Sequence, residues 1–193
     1  MTEKEKMISQ KLFRDDDFLN EERKKAKDLC FKLNSTLPSQ KEKIMEIARE
    51  ILGKTGEKFE IITPFWCDYG YNIEIGEHFF SNHNLVILDC AKVKFGNNVF
   101  IAPNCGFYTV GHPIDFERRN QGFEYAYPIT VGNNVWIGGG VQVLPGVKIG
   151  DNVVIGAGSV VVHSIPSDSV AVGNPCRVIR RITEQDLKTC WER

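Results

Sequence analysis

Several groups of residues in the chain have the types and spacing to do chemistry. His112 stands at the root of GHPIDFERRNQGFEYAY, a polar and aromatic stretch within about 110–127 that contains Pro113 and Gly122. Imidazole takes up and releases protons near neutral pH, so a histidine there is a candidate general base. Asp15, Asp16 and Asp17 follow Lys11-Leu-Phe-Arg14; such acids cap helices or accept hydrogen bonds from hydroxyls. Arg177, Arg180 and Arg181 gather near the end of the chain, where guanidinium forks could grip phosphates or simply face water. His78, His83 and His112 supply three imidazoles, enough in number for a zinc site.

What must position His112 is a repeat. From Val131 to Val162 an apolar β-branched residue recurs at every sixth position (Val131, Ile137, Val143, Ile149, Ile155, Val161), with Val135, Val141, Val147, Val153 or Ser159 four places after it. This period belongs to neither an amphipathic helix nor an alternating strand. It predicts a parallel β-helix in which each hexapeptide makes one short strand and a turn, and three hexapeptides close a triangular coil. The leading Ile or Val points inward and the small residue after it turns the corner; Asn-Asn, Gly-Asp-Asn and Pro-Gly fill the corners. The same phase runs upstream through Ile75-Gly76 with Phe79, Phe95-Gly96 with Val99, and Ile101-Ala102 with Cys105. Solenoids confine insertions to loops on one face, often the binding face, so 110–127 reads as a loop ejected from the coil. Ser164-Ile-Pro166 is expected to close the last regular coil and Val170 to Arg177 to add one more turn.

Residues 1–57 lack the repeat. Leu19, Ala26, Leu29, Cys30 and Leu33 share one face of a helix predicted over about 20–34. Ser39 and Glu42 have capping-box spacing ahead of Ile44, Ile47, Ala48, Ile51 and Leu52, with Gly53 as the stop. The run Glu21-Glu22-Arg23-Lys24-Lys25 reads as a solvated helix face. Thr183 and Asp186 open a short helix expected to cover the open end of the prism. The division is therefore a helical cap over 1–57, a coil over 58–182 with its inserted loop, and a C-terminal helix over 183–193. The 193 residues include 24 basic and 25 acidic side chains, net charge -1, which offers no footprint for nucleic acid or an anionic membrane. Six cysteines without a Cys-x-x-Cys pair favour reduced thiols and a cytoplasmic protein. The start MTEKEKM has no apolar leader, and no apolar run approaches a membrane span.

Taken together, these residues resemble the maltose and galactoside O-acetyltransferases of the hexapeptide-repeat superfamily. The resemblance runs through Lys11-Leu-Phe-Arg-Asp15, Pro64-Phe-Trp-Cys-Asp-Tyr-Gly-Tyr-Asn-Ile73, Phe79-Phe-Ser-Asn82, the Thr109–Asp115 stretch, Val135-Trp-Ile-Gly-Gly139 and Gly173-Asn-Pro-Cys-Arg-Val-Ile-Arg180. It implies a mainly β protein built on a left-handed parallel β-helix, with an N-terminal helical cap, an extruded loop and a short C-terminal helix. It further implies a homotrimer with sites between subunits, and direct transfer of an acetyl group from acetyl-CoA to a sugar hydroxyl, the 6-hydroxyl of glucose, maltose or a galactoside. Within the resemblance His112 is the general base, the Gly139 amide donates to the developing oxyanion, and Asn82 lies beside the reacting centre, facing His112 of a neighbouring subunit. Asp15, Asp68, Asp89 or its neighbour Cys90, and Glu124 fall at acceptor positions. Asp68 stands where galactoside enzymes carry Ser, and Cys90 where they carry Asp, which leaves the sugar open. Asn82, Trp136, Gly139, Ala157, Val162, His163, Arg177 and Arg180 fall along the pantetheine and nucleotide path, with Val162-His163 in place of a common Thr-Lys. The resemblance implies no metal.

Two other classes share the coil. The γ-type carbonic anhydrases hold zinc through three histidines between subunits, but there a single His precedes the close pair, the reverse of His78, His83 and His112 here. A non-catalytic scaffold would not need His112, Asn82 and the arginine pair together.

Overall fold

A computed structural model describes residues 1–188; Cys190 and the end of the expected C-terminal helix lie outside the described residues. The chain is a left-handed parallel β-helix with helices packed on its first coils. Three ladders of parallel strands form its faces. The first face stacks Phe59–Ile61, Phe79–Ser81, Val99–Ile101, Val135–Ile137, Val153–Ile155 and Ser169–Val172. The second runs from Phe65–Cys67 through Leu85–Leu88, Gly106–Tyr108 and Gln142–Val143 to Val160–Val161, and the third from Ile73–Glu74 to Lys148–Ile149.

The hexapeptide period explains this geometry residue by residue. In Val135–Ile137 the outer two side chains are buried and Trp136 points out. Val135 sits between Val99 and Val153, and Ile137 between Ile101 and Ile155, in the adjoining coils. Burying each such side chain contributes about 1.5–3 kcal/mol, and every contribution depends on the coils above and below. Larger aromatics fill the early coils: Phe95 packs edge-on against Phe79 and Phe107, with ring centroids 5.1 and 4.9 Å away. At the corners Asn98, Asn134 and Asn152 take φ of 54°, 56° and 53°, a left-handed conformation that asparagine tolerates far better than β-branched residues.

The insertion leaves this stack intact. Val131 pairs directly with Phe95, and one coil later Ile149 pairs with Val131, so the coil carrying the insertion is twice as long as the next. The ejected segment has structure of its own: strand Val110–Gly111, a short helix Phe116–Asn120 and strand Phe123–Ala126. Phe123–Ala126 pairs antiparallel with Val110–Gly111 on one side and with Phe13–Arg14 from the N-terminus on the other. A small apolar cluster, separate from the coil's core, lies here: Met7, Phe13, Leu19, Tyr69, Cys90, Ala91 and Ala126.

The ends differ from expectation in instructive ways. A first helix, α1 (Glu3–Ile8), begins at a Thr2–Glu5 capping box that sequence reading passed over. The second, α2 (Asp17–Asn34), starts earlier than about residue 20, because the Asp16 carboxylate accepts from the Leu19 N–H at 2.8 Å. The third, α3 (Lys41–Ile51), lacks the expected Ser39–Glu42 box: the turn closed by Gln40 N–H to Leu37 O makes Gln40 the N-cap, without a side-chain bond. After Ser169–Val172 the chain does not wind on; Arg177–Arg181 runs back antiparallel to that strand. The final short helix, Glu184–Leu187, has the Thr183–Asp186 capping box but buries no residue, so its described part does not cover the prism's end.

Candidate active site

His112 leaves the end of strand Val110–Gly111 and is half exposed. Its Nδ1 lies 3.1 Å from the Phe123 carbonyl oxygen. A carbonyl can only accept, so Nδ1 carries a proton, and in the neutral ring Nε2 is the acceptor. Nε2 stands 3.7 Å from a Glu124 carboxylate oxygen, too far for a hydrogen bond. His112 and Glu124 line a cleft of ≈ 540 Å³ together with Arg14, Asp15 and Asp16, which the antiparallel pairing of Phe13–Arg14 with Phe123 and Glu124 holds beside the histidine.

Behind this cleft the expected acceptor residues come together around one that sequence reading placed in solvent. Arg23 donates to both Asp15 carboxylate oxygens at 2.6 and 2.9 Å and to the Tyr69 hydroxyl at 2.9 Å; its Nε lies 3.7 Å from Asp68. The run Glu21–Lys25 is thus only in part a solvated face. Arg23 is one turn from Leu19 and one from Ala26, on the stripe that continues to Cys30 and Leu33, and that spacing was the signal for its burial. The acid run also resolves: Asp15 and Asp16 both line the cleft, but Asp16 is committed to capping α2 and Asp15 to Arg23. The Asp68 carboxylate is pushed up by burial and pulled back by Arg23, and the Cys90 thiol donates to it at 3.8 Å. Glu124 is pushed up by burial and then by the Asp15 charge.

Asp89 is fully buried. One carboxylate oxygen accepts from the Asp68 and Tyr69 amides at 3.1 and 2.9 Å, while the other has no partner. The two accepted N–H bonds hold the Asp68–Tyr69 turn in place, and burial raises the Asp89 pKa to about 6. A folded-state pKa above the unfolded value means the native state binds the extra proton. The stabilisation is present at low pH and is lost as pH rises through about 6, a span of about 3 kcal/mol. Asp89→Asn is therefore expected to gain thermal stability relative to the parent between about pH 4 and pH 7. Melting curves at those pH values check this; a difference constant with pH contradicts it.

The residues expected along the cofactor path group on another edge of the coil. Phe80, Phe100 and Trp136 are stacked outward on the first face, and with Asn82 they line a second cleft that shares no residue with the His112 cleft. Gly139 and Ala157 sit at successive equivalent corners, joined by Gly158 N–H to Gly139 O at 2.8 Å. Among the described residues neither the Gly139 nor the Ala157 N–H meets an acceptor. A Cβ on Gly139 would approach nothing nearer than 3.4 Å, so a serine would fit there. Strand Val160–Val161 separates Ala157 from Val162 and His163, and the Gly173–Cys176 segment bonds to it through Val160 at 3.0 and 2.8 Å, bringing Arg177 to the same edge. Arg180 is exposed, and its guanidinium forks onto Asp186 at 2.8 and 2.9 Å.

The three histidines do not converge by any contact. His78 occupies a corner with φ of 56°, His83 bonds the Thr63 carbonyl, and His112 bonds Phe123. Among the described residues no group of three His, Cys, Asp or Glu side chains is arranged to hold a metal, and no helix is long and apolar enough to cross a membrane.

Comparison with known proteins gives the same picture. The maltose acetyltransferase hexapeptide capping motif matches residues 6–56, and the bacterial transferase hexapeptide (six repeats) matches 128–163. The galactoside O-acetyltransferase of Escherichia coli K12 is 46% identical over 183 residues, 94% of this chain and 90% of its own. A crystal structure of a maltose O-acetyltransferase from Clostridium difficile 630 superposes with TM-score 0.94 at 51% identity, covering 95% of this chain and 98% of the other. A galactoside acetyltransferase in complex with coenzyme A superposes at 0.95 with 44% identity, over 100% and 96%. With cap, coil and extruded hairpin all accounted for at such identities, the chain belongs to the maltose and galactoside O-acetyltransferase family of hexapeptide-repeat enzymes.

Proposed function

We propose that the protein transfers an acetyl group from acetyl-CoA directly to a sugar hydroxyl, the 6-hydroxyl of a hexose such as glucose, maltose or a galactoside, with His112 as general base. The observation that carries this reading is the His112–Phe123 contact, which fixes the ring through Nδ1 and turns Nε2 to the edge of a cleft walled by hydrogen-bond acceptors. A hydroxyl attacks a thioester slowly at neutral pH unless its proton is removed as the bond forms. Asp15 and, deeper, Asp68 supply acceptors for the remaining hydroxyls, and Glu124 stands next to the base; Cys90 packs behind Asp68, and Asp89 supports the turn from beneath. The negative charge that gathers on the acetyl oxygen needs a fixed donor, and the unpaired Gly139 amide suits that role.

In one chain Asn82 and Gly139 lie apart from the His112 cleft. The reading therefore includes a homotrimer in which the Asn82 edge of one subunit meets the His112 cleft of the next. The flat, aromatic first face supports such packing. The pantetheine arm would run past Trp136, Gly139 and Ala157, toward Val162 and His163, with Arg177 and Arg180 at the phosphates. For Arg180 the phosphate would displace Asp186, whose charge already occupies the fork. Arg180→Ala is expected to raise the KM for acetyl-CoA several-fold and to leave the sugar KM unchanged; initial-rate kinetics in both substrates measure this. The reading is tested by following thiol release from acetyl-CoA with a panel of glucosides, maltose, galactosides and amino sugars. Release that depends on a sugar supports it, and release indifferent to every sugar overturns it.

A further inference from the structure

The corner that carries the unpaired Gly139 amide is made of three successive glycines, Gly138, Gly139 and Gly140. With no Cβ on any of them, little in the local backbone resists rotation of the peptide planes between them. Hydrogen bonds to the neighbouring coils hold most of the corner. The Gly138 N–H donates to Ile155 O at 2.8 Å, the Gly140 N–H donates to Pro103 O at 2.8 Å, and Gly139 O accepts from the Gly158 N–H at 2.8 Å. These bonds fix the peptides on either side of the Gly138–Gly139 link. Within that link, among the described residues, neither the Gly138 carbonyl nor the Gly139 N–H meets another backbone group.

A side chain holds it instead. The Cys105 thiol, buried inside the prism, lies 3.2 Å from Gly138 O and 3.8 Å from the Pro103 carbonyl oxygen. Burial pushes the thiol's pKa up, outweighing the pull of the Val141 and Gly140 backbone, so the sulfur keeps the proton it donates. A peptide is planar and trans, so a carbonyl held inward turns its N–H outward. The Gly139 N–H is thus aimed from behind, by a thiol buried away from any substrate.

The coils on either side show the same arrangement and its absence. Ile137 pairs with Ile101 in the coil before and with Ile155 in the coil after, so the residues that follow are in register. One coil on, the Ala157 N–H is also unpaired, and the Ser159 hydroxyl donates to the Gly156 carbonyl behind it at 2.6 Å. One coil back, Pro103 fills the position of Gly139 and has no N–H to aim. Val141 stands in the Gly139 coil where Ser159 stands in the next. It has no donor, and Cys105 reaches across from the coil before.

We propose that Cys105 is a positioning residue for the reaction: its thiol locks the Gly138–Gly139 peptide with the N–H facing the acetyl oxygen, so that the oxyanion donor is already aimed when the hydroxyl attacks. The inference rests on the reading above in which the Gly139 amide is that donor. A bond to charge that gathers only in the transition state changes kcat and leaves substrate binding alone.

The experiment is kinetics of the full-length protein with acetyl-CoA and a sugar that the parent acetylates, reading kcat, both KM values and the single-turnover rate. Cys105→Val keeps an apolar side chain of similar size, as Val141 does one coil on, and removes the donor. It is expected to lower kcat about five- to tenfold, in line with the loss of one neutral hydrogen bond, with both KM values within about twofold. Cys105→Thr has the shape of the valine variant and restores a donor, so its kcat is expected to exceed that of Cys105→Val by about threefold or more. Gly139→Pro removes the N–H itself, at a corner where Pro103 one coil back shows that proline fits, and is expected to lower kcat about 10²–10³-fold. In that background Cys105→Val is expected to have no further effect, since both changes act through one N–H, whereas a general loosening of the core would add to it. If Cys105→Val does not fold, Cys105→Ala and Cys105→Ser make the same comparison.

A parental kcat in Cys105→Val, equal losses in the valine and threonine variants, a raised KM at unchanged kcat, or an additive effect in the double variant overturns the proposal. A parental kcat in Gly139→Pro overturns the reading of the amide instead, and a parent that acetylates no sugar overturns the sugar reading. Neither of those arms involves Cys105, so the failures are told apart.

Discussion

Replacing His112 by Ala is expected to lower kcat by about 10²–10⁴ while acetyl-CoA binds with unchanged affinity. The size follows from what the imidazole does. The Phe123 carbonyl holds a proton on Nδ1, so in the neutral ring Nε2 is the acceptor that takes the hydroxyl proton at the moment of attack. Alanine removes that acceptor without disturbing the coil, since the histidine is half exposed and belongs to neither apolar cluster. Acetyl-CoA binding should persist because Trp136, Gly139 and Ala157 stand on a different edge of the chain. Single-turnover rates with an accepted sugar, beside titration of the variant with CoA, separate the two effects. Unchanged turnover would remove His112 from the mechanism.

The second large effect is structural and reaches the site from beneath. Phe13 is fully buried, and it anchors the strand that carries Arg14 and Asp15 onto Phe123 and Glu124. Phe13→Ala is expected to cost about 3–5 kcal/mol at that position. The cluster around it is a small one, with Met7, Leu19, Tyr69, Cys90, Ala91 and Ala126, whereas the coil shares a separate, continuous core with α2 and α3. The loss should therefore fall on the N-terminal segment: residues before α2 become open to proteolysis, and the enzyme no longer saturates with sugar, while the coil still binds acetyl-CoA. Limited proteolysis with mapping of the first cut, together with kinetics in both substrates, measures it. Cooperative unfolding of the whole chain at the same temperature as cleavage would show instead that the N-terminal segment and the coil form a single unit.

The coil was legible because its signal is periodic and local. Val131, Ile137, Val143, Ile149, Ile155 and Val161 all point into the prism, and the asparagine corners are where the turn chemistry places them. The extruded segment was visible as a break, but its hairpin was not. Strand Phe123–Ala126 depends on pairing with Phe13–Arg14, more than a hundred residues away in sequence, and no local pattern encodes that contact. Arg23 shows a different blind spot. A charge run invites the reading of a wet helix face, yet the position of one arginine on the Leu19–Ala26–Cys30 stripe outweighs its charge once carboxylates wait on the other side. The arginine cluster at the end of the chain read as three free cations, whereas Asp186 already pairs with one of them. The turnback of Arg177–Arg181 onto Ser169–Val172 was missed because the repeat, once established, suggested one more coil.

The roles of Asp15, Asp68 and Glu124 all depend on a sugar being the acceptor and on the ester forming at its hydroxyl. The measurement that tests this most directly is the structure of the product made from acetyl-CoA and an accepted hexose by the parent enzyme, resolved by NMR and set against the CoA released. The expected result is an acetyl ester on the 6-hydroxyl, with one CoA released for each ester formed. CoA released without any acetylated sugar, or acetyl found on an amine in place of a hydroxyl, would contradict it.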